Sequence, residues 1–223
     1  MIHEIDEALR RLLRDGALPE GTGEVAFDAP TREWAARRNA PTVNAYLYDI
    51  REDVARRERG AYAERDERGV VVRRRQPMRW YRLSYLLTAW TTRPEDEHRL
   101  LSGVLATLLP HELLPAGSVP RALAEHRPQI ALTVGVPPAE SRSLADIWSA
   151  LGGELKPSLD VVITTPFPVT PVYPVGPPVT EVEVRVEDRR GEGPRARPRV
   201  IRAETRPGQG PGQGTGTVRG ADT

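Results

Sequence analysis

Cysteine is absent from the chain, and that absence excludes disulfides, thiolate metal sites and thiol nucleophiles together. An excess of charge of one sign is also missing. Against 32 lysines and arginines stand 31 acids, a formal net charge of +1, so no global field draws nucleic acid or an anionic membrane to the protein. Lysine itself is nearly missing, Lys156 being the only one. A GC-rich coding sequence explains that bias better than selection for bidentate guanidinium contacts, which matter only at particular sites. No window reaches the roughly 20 apolar residues of a membrane span, and the charged start MIHEIDEALRRLLRDG lacks a signal peptide's apolar stretch. The reading is a protein made and folded in the cytoplasm. Its 223 residues suit one domain with a proper core, or one domain plus a tail, rather than two full domains.

Hydrophobic period supplies the elements. Ile2, Ile5, Leu9 and Leu12 recur at helical spacing, with Gly16 as the stop. EVAFDAP is a short strand candidate, and TREWAARRNAP one or two helical turns ended before Pro41. In residues 42–52, TVNAYLYDIRE, Val43, Ala45 and Leu47 alternate with Asn44, Tyr46 and Tyr48, which predicts an inner strand. The strongest strand is 78–90, MRWYRLSYLLTAW, with Tyr81, Leu83, Tyr85, Leu87 and Ala89 sharing a face. It is expected to be central and to pair with 42–52. A helix follows, for which Thr92 and Glu95 predict a capping box, Pro94 a first-turn position, and Leu101, Val104, Leu105 and Leu108 the buried stripe. VPRALAEH reads as a shorter helix, and QIALTVGVPP as a strand in which Ile130, Leu132, Val134 and Val136 alternate. Ser143 with Asp146 caps another helix, expected to turn Leu144, Ile147 and Leu151 inward and to end at Gly152-Gly153. SLDVVITTPF is the last core strand, with Leu159, Val161 and Ile163 on one face.

Two stretches break this texture. Residues 53–77 are charge-dense, with Gly60 and Gly69 as turn points, and read as a solvated hairpin or arm. From Pro166 the chain is too rich in proline for a sheet interior and reads as a semi-rigid connector leading to the period-2 segment EVEVRVE. Residues 191–223 have the Gly, Pro and Arg composition of disorder. The expected division is therefore a domain over 1–167, a connector and strand arm over 168–190, and a tail over 191–223.

Catalytic equipment is not evident. GQGPGQGTG follows no strand and opens no helix, so it is not a phosphate loop. His3, His98, His111 and His126 lack metal-ligand spacing and read as surface or capping side chains. PHELLP has no second histidine, no serine lies in a Gly-x-Ser-x-Gly elbow, and the acid pairs Asp6 with Glu7 and Glu95 with Asp96 suit helix ends. No cofactor and no enzymatic reaction are expected.

Read in order, LYDIRED (47–53), RLSYLLTAWT (82–91), PEDEHRLLSGVL (94–105) and DIWSALGGELKPSLDVVITTPF (146–167) resemble one known family. It is the N-terminal domain of the cap, or tube-terminator, proteins of phage-tail-like contractile injection systems, and the resemblance covers about residues 1–167. It implies an α+β fold, a mixed and mainly antiparallel sheet flanked by helices, similar to phage tail terminators, with an extended C-terminal arm. It also implies a homohexameric ring that closes the end of the inner tube distal to the baseplate and joins tube to sheath. The partners implied are other copies of the chain, the inner tube protein and the sheath protein, in a particle assembled in the cytoplasm and kept there or released. The 53–77 arm and the tail depart from the family's pattern and inherit no role.

Five residues are candidate contacts: Trp148, Lys156, Val182, Val184 and Val186. Trp148 either fills its own subunit's core or anchors a ring contact, tryptophan being enriched at interface hot spots. The three valines lie in EVEVRVE, a strand that is unstable alone and must pair with its own sheet's edge or with a neighbour. The competing function is a nucleic-acid or polyanion binder using the charged arm and the arginine-rich tail, which would show steep salt dependence.

Overall fold

The computed structural model describes residues 1–18, 23–123, 128–136, 143–168, 172–174 and 176. The chain divides into two units, Met1–Arg59 with Met78–Val169, and Gly60–Pro77 with Thr170–Thr223. The first is built on a five-stranded sheet whose order is β1-β2-β5-β7-β6. Its elements are α1 (Ile2–Gly16), β1 (Glu24–Ala26), α2 (Arg32–Ala36), β2 (Thr42–Glu52), β5 (Arg79–Trp90), α3 (Pro94–Leu108), β6 (Ala131–Val134), α4 (Leu144–Ala150) and β7 (Ser158–Phe167). All pairings are antiparallel except β1 with β2. This is the mixed, mainly antiparallel sheet flanked by helices that the family resemblance implies.

Strand alternation makes two faces. Register sets Val43 beside Ala89, Ala45 beside Leu87, Leu83 beside Ile163 and Tyr85 beside Val161; all of these but Ala89 form one buried cluster with Ile5, Leu9 and Leu13 of α1 and Val104 and Leu108 of α3, and Ala89 packs with Leu100 and Leu101 of α3. The central pairing of β2 with β5 is the one expected, interrupted by a bulge between Leu47 and Asp49. The opposite face carries Thr42, Asn44, Thr88 and Trp90 towards one end of the sheet.

Several local expectations change under packing. In α1, Ala8 and Leu13 join Ile5 and Leu9 in the core, while Ile2 and Leu12 pack against it half-buried. Gly16 is the last helical residue and the next residue stays right-handed, so glycine is there for approach rather than for a stop. A Cβ on Gly16 would stand 2.5 Å from Thr107 Cγ2 on α3. Gly16→Ala therefore overpacks the helix crossing, at about 1–3 kcal/mol, and recovers up to about 1 kcal/mol in helix propensity. We expect a net loss of about 1 kcal/mol in urea unfolding, relieved by adding Thr107→Ala; an undiminished midpoint for Gly16→Ala would mean that the crossing has slack.

The start of α3 also differs. Its N-cap is Arg93, which makes no side-chain cap bond, and Pro94 occupies the first turn as predicted. Instead of a Thr92–Glu95 box, the Thr91 hydroxyl accepts from Arg93 N at 3.3 Å, and Thr91 N donates to Glu97 at 3.3 Å. Leu100 joins the buried stripe and Leu105 is only half-buried. In α4, Ser143 caps the helix as expected, accepting from Asp146 N at 3.4 Å. The residue it turns inward is Trp148, whereas Leu144 is 45% exposed. β6 stops at Val134, because Gly135 takes a φ of 66° and Val136 lies exposed beyond it. Of VPRALAEH, Arg121–Leu123 is a single 3-10 turn and residues 124–127 lie outside the described set.

The second unit holds a three-stranded sheet in the order β3-β4-β8, with β3 (Tyr62–Arg65), β4 (Val71–Arg75) and β8 (Val172–Pro174). The predicted charged hairpin is β3 and β4. Its turn is built by Asp66, whose carboxylate accepts from Arg68 N at 3.0 Å and Val70 N at 2.8 Å, while Gly69 takes a φ of 79° that favours glycine. Part of the expected connector, Val172–Pro174, adds an edge strand antiparallel to β4, a position where proline's missing N–H is tolerated. EVEVRVE at 181–187, the glycine-rich GQGPGQGTG at 208–216 and the whole 191–223 tail lie outside the described residues.

Candidate functional site

Among the described residues no catalytic constellation presents itself. Among the described residues, no three His, Asp or Glu side chains come close enough to hold a metal ion, and no helix is long and apolar enough to cross a membrane. His3 and His98 are exposed, His111 is half-exposed, and His126 lies outside the described residues.

What the fold does assemble is an aromatic end to the first unit's sheet, where Thr42 of β2 pairs with Trp90 of β5 and, two residues back, Thr88 of β5 pairs with Ser158 of β7. Three of the chain's four tryptophans meet there. Thr31 caps α2 by accepting from Trp34 N at 3.2 Å, which sets the helix so that Trp34 points inward. Trp34 then meets Trp90 edge-on with centroids 5.4 Å apart, and Trp90 meets Trp148 of α4 at 6.4 Å. Such contacts add about 0.5–1.5 kcal/mol each beyond burial. After α4, Gly152 adopts a φ of 66° and reverses the chain, and Gly153 passes the Trp148 ring so closely that a Cβ would sit 3.1 Å from it.

That reversal delivers Lys156. Its Nζ stands 4.5 Å over the Trp90 ring and 2.6 Å from Glu97 Oε1, with both side chains mostly covered. On the other flank the Arg38 guanidinium lies 4.8 Å over Trp34 and pairs with Glu24 at 3.2 Å. Beside this cluster an open groove of about 790 Å³ is lined by apolar residues including Leu18, Pro41, Trp90 and Leu100 and by the charged Arg38, Asp96 and Arg99. A concavity that is largely apolar with a few charged groups suits capture of a side chain.

The candidate contacts fall as follows. Trp148 and Lys156 are brought together on Trp90. Trp148 is 2% exposed and enclosed by its own chain, while Val182, Val184 and Val186 lie outside the described residues. Trp34, Trp90, Glu97 and Arg38 were not foreseen. The usable signal was scarcity: aromatics make up 5% of the chain and lysine occurs once, so their convergence carries information.

Glu97 holds the only lysine over the central ring, and Glu97→Gln tests the arrangement. We expect a loss of about 1–2 kcal/mol in chemical denaturation, the scale of a partly covered charged hydrogen bond, and a smaller loss in high salt. No difference from the parent protein at low salt would show the pair to be idle.

No curated protein sequence matches the chain. Residues 4–181 match the family model described as the Pvc16 N-terminal domain. Among solved structures, the chain is similar to the PVC sheath/tube terminator of an extracellular contractile injection system in its extended state. The TM-score is 0.61 with 25% identity, over 86% of this chain and 65% of that one. It is also similar in fold to the tube-terminating cap of the anti-feeding prophage, with a TM-score of 0.55 and 21% identity, over 82% of this chain and 60% of that one. The chain thus spans less than two thirds of the length of either.

Proposed function

Because this chain belongs to the Pvc16 N-terminal domain family, we propose that it is a structural cap protein that terminates the tube of a contractile injection system. The observation that carries this is the likeness to a sheath/tube terminator over 86% of the chain. The protein works as a homohexameric ring seated on the last tube layer, with further contacts to the sheath, and performs no reaction. It assembles in the cytoplasm as part of a particle that is kept or released. Its capping domain is residues 1–167, followed by the 168–190 connector and arm and the 191–223 tail.

The aromatic end supports this role physically. A ring subunit must present the same rigid surface to each neighbour, and Trp90, held from behind by the buried Trp34 and Trp148 and by the covered Lys156–Glu97 pair, gives such a surface. The groove beside Trp90 takes an apolar side chain from an adjoining subunit. Trp148 acts from beneath, holding Trp90 and Lys156 in place, and Lys156 stands nearer the contact. EVEVRVE, through Val182, Val184 and Val186, pairs with a neighbouring strand edge.

Negative-stain microscopy of the purified protein, alone and mixed with tube protein, tests the reading. The expected result is rings of the tube's diameter and tubes that stop growing at a capped end. Protein that stays monomeric in both samples, with tube growth unchanged, would overturn it.

A further inference from the structure

Two leucines stand in water at the far end of α3. Leu109, its C-cap, is 63% exposed and Leu113 is 41% exposed. The backbone that carries them is fixed. Glu112 O accepts from Leu132 N at 2.9 Å, Leu114 N donates to Ile130 O at 2.8 Å, and Leu113 pairs antiparallel with Ala131, so residues 112–114 run as a short extension beside β6. Leu114 is buried in the core, and alternation turns Leu113 the other way. Between the two leucines the carboxylate residue Glu112 is exposed as well. Burying these leucines in a partner removes apolar surface from water, and a backbone already held in place keeps the ordering cost of docking low.

The groove beside Trp90 has the complementary chemistry. It is apolar at Leu18, Pro41, Trp90 and Leu100, and its lining charges Arg38, Arg99 and Asp96 sum to +1 (two minus one). Arg99 donates from Nη1 to Asp96 at 2.6 Å and is largely exposed. A guanidinium has five N–H donors, so Arg99 can take a second carboxylate alongside the first.

The leucines and the groove lie on different flanks of the first unit. Leu100 lines the groove, and Leu109, whose backbone stays right-handed helical, follows it by nine residues. That is about two and a half turns, which sets Leu109 about 14 Å further along the axis and on the opposite side of the helix. A two-fold contact would have to gather both patches at one axis, whereas a head-to-tail contact seats the leucines of one copy in the groove of the next. Head-to-tail contacts are those that close into rings. Leu155 is exposed too, but it adjoins Lys156, which stands over the groove's own Trp90. It belongs to the groove's flank and suits a two-fold pair better than a ring.

We infer that the Leu109–Leu113 segment of one copy docks in the groove beside Trp90 of the next copy, its leucines covering the apolar lining and Glu112 meeting Arg99. The occupant of the groove is a second copy of this chain. The inference rests on the ring of the proposed function and names the contact that builds it.

Sedimentation of the full-length chain, alone and with purified tube protein, tests this, with circular dichroism confirming equal fold. The segment variant carries Leu109→Arg and Leu113→Arg. The groove variant carries Thr92→Trp, which adds bulk at an exposed lining position. Val54→Arg alters an equally exposed apolar residue after β2, at the other end of the sheet. The segment and groove variants are each expected to weaken ring formation about tenfold or more, and Val54→Arg to leave it within about twofold. Mixed in equal amounts, the first two should form dimers and stop there, because the groove variant supplies leucines and the segment variant supplies an open groove. Glu112→Arg should weaken association, and adding Arg99→Glu should restore most of it.

A mixture that behaves as the separate variants do, or variants that form rings as the parent does, would overturn the head-to-tail contact. So would an equal loss in Val54→Arg, which would mean that any added charge disturbs assembly. Loss of rings in the groove variant alone, with the segment variant unaffected, would assign the groove to the tube protein or to another part of the chain and refute the inference. A parent chain that forms no ring, with or without tube protein, defeats the capping reading itself.

Discussion

Trp148→Ala removes about 3 kcal/mol of stability and, with it, the seating of Lys156 on Trp90. Truncating a buried tryptophan costs about 3–5 kcal/mol, because the cavity left behind collapses only in part. The lower end applies here for a specific reason. The Trp148 indole Nε1 is buried without a partner, and deleting an unsatisfied donor returns some of its desolvation cost, about 1–3 kcal/mol in general. Trp148→Phe keeps the ring contact with Trp90 and drops the donor, so it should lose much less. Equilibrium urea unfolding of the three proteins checks the order. If Trp148→Ala folds with undiminished stability and yet fails to form rings, Trp148 is itself a contact and its buried setting here is not the assembled one.

The second large effect appears at high pH. Tyr85 points from β5 into the core beneath α1, where it is fully enclosed and its hydroxyl donates to Asp6 Oδ1 at 2.7 Å. Burial first, and the bond to the Asp6 carboxylate second, push its pKa well above the ordinary tyrosine value. A raised folded-state pKa means that the unfolded chain loses this proton first. Stability from the group is therefore intact below about pH 10 and declines above it, by about 1.4 kcal/mol per pH unit. By about pH 12 that amounts to roughly 2.7 kcal/mol. Tyr85→Phe gives up the hydrogen bond at neutral pH, about 1 kcal/mol or somewhat more, and lacks the alkaline decline. The two stability curves should converge and then cross as pH rises; parallel curves from pH 9 to 12 would show that Tyr85 ionises freely in the folded protein.

Both predictions come from residues whose strand or helix assignment was legible in advance and whose partners were not. The alternation of Tyr81 to Ala89 placed Tyr85 on the core face, yet nothing in that pattern points to Asp6, 79 positions away. The Ser143 cap and Gly152 were equally legible, since each acts within a few residues. The same local reasoning misjudged what α4 buries, because a seven-residue helix takes its inward face from the surface it lands on. Trp148 wins over Leu144 where Trp34 and Trp90 already form an aromatic wall. At α3 the predicted Thr92–Glu95 box lost to a Thr91–Arg93–Glu97 arrangement, in which Glu97 also serves Lys156.

Sequence alone determined the element types, the two-faced sheet, the pairing of the two longest strands and, through long ordered motifs, the family. Those properties depend on periodicity and on residues close together in the chain, where sterics and capping act over one or two turns. Only the tertiary structure decided that Trp34, Trp90, Trp148 and Lys156 converge, that Gly16 serves a helix crossing, and that Val172–Pro174 joins the charged hairpin as a third strand. Each of these is a contact between segments far apart along the chain, fixed by how whole faces pack against one another, and composition and spacing carry no term for that.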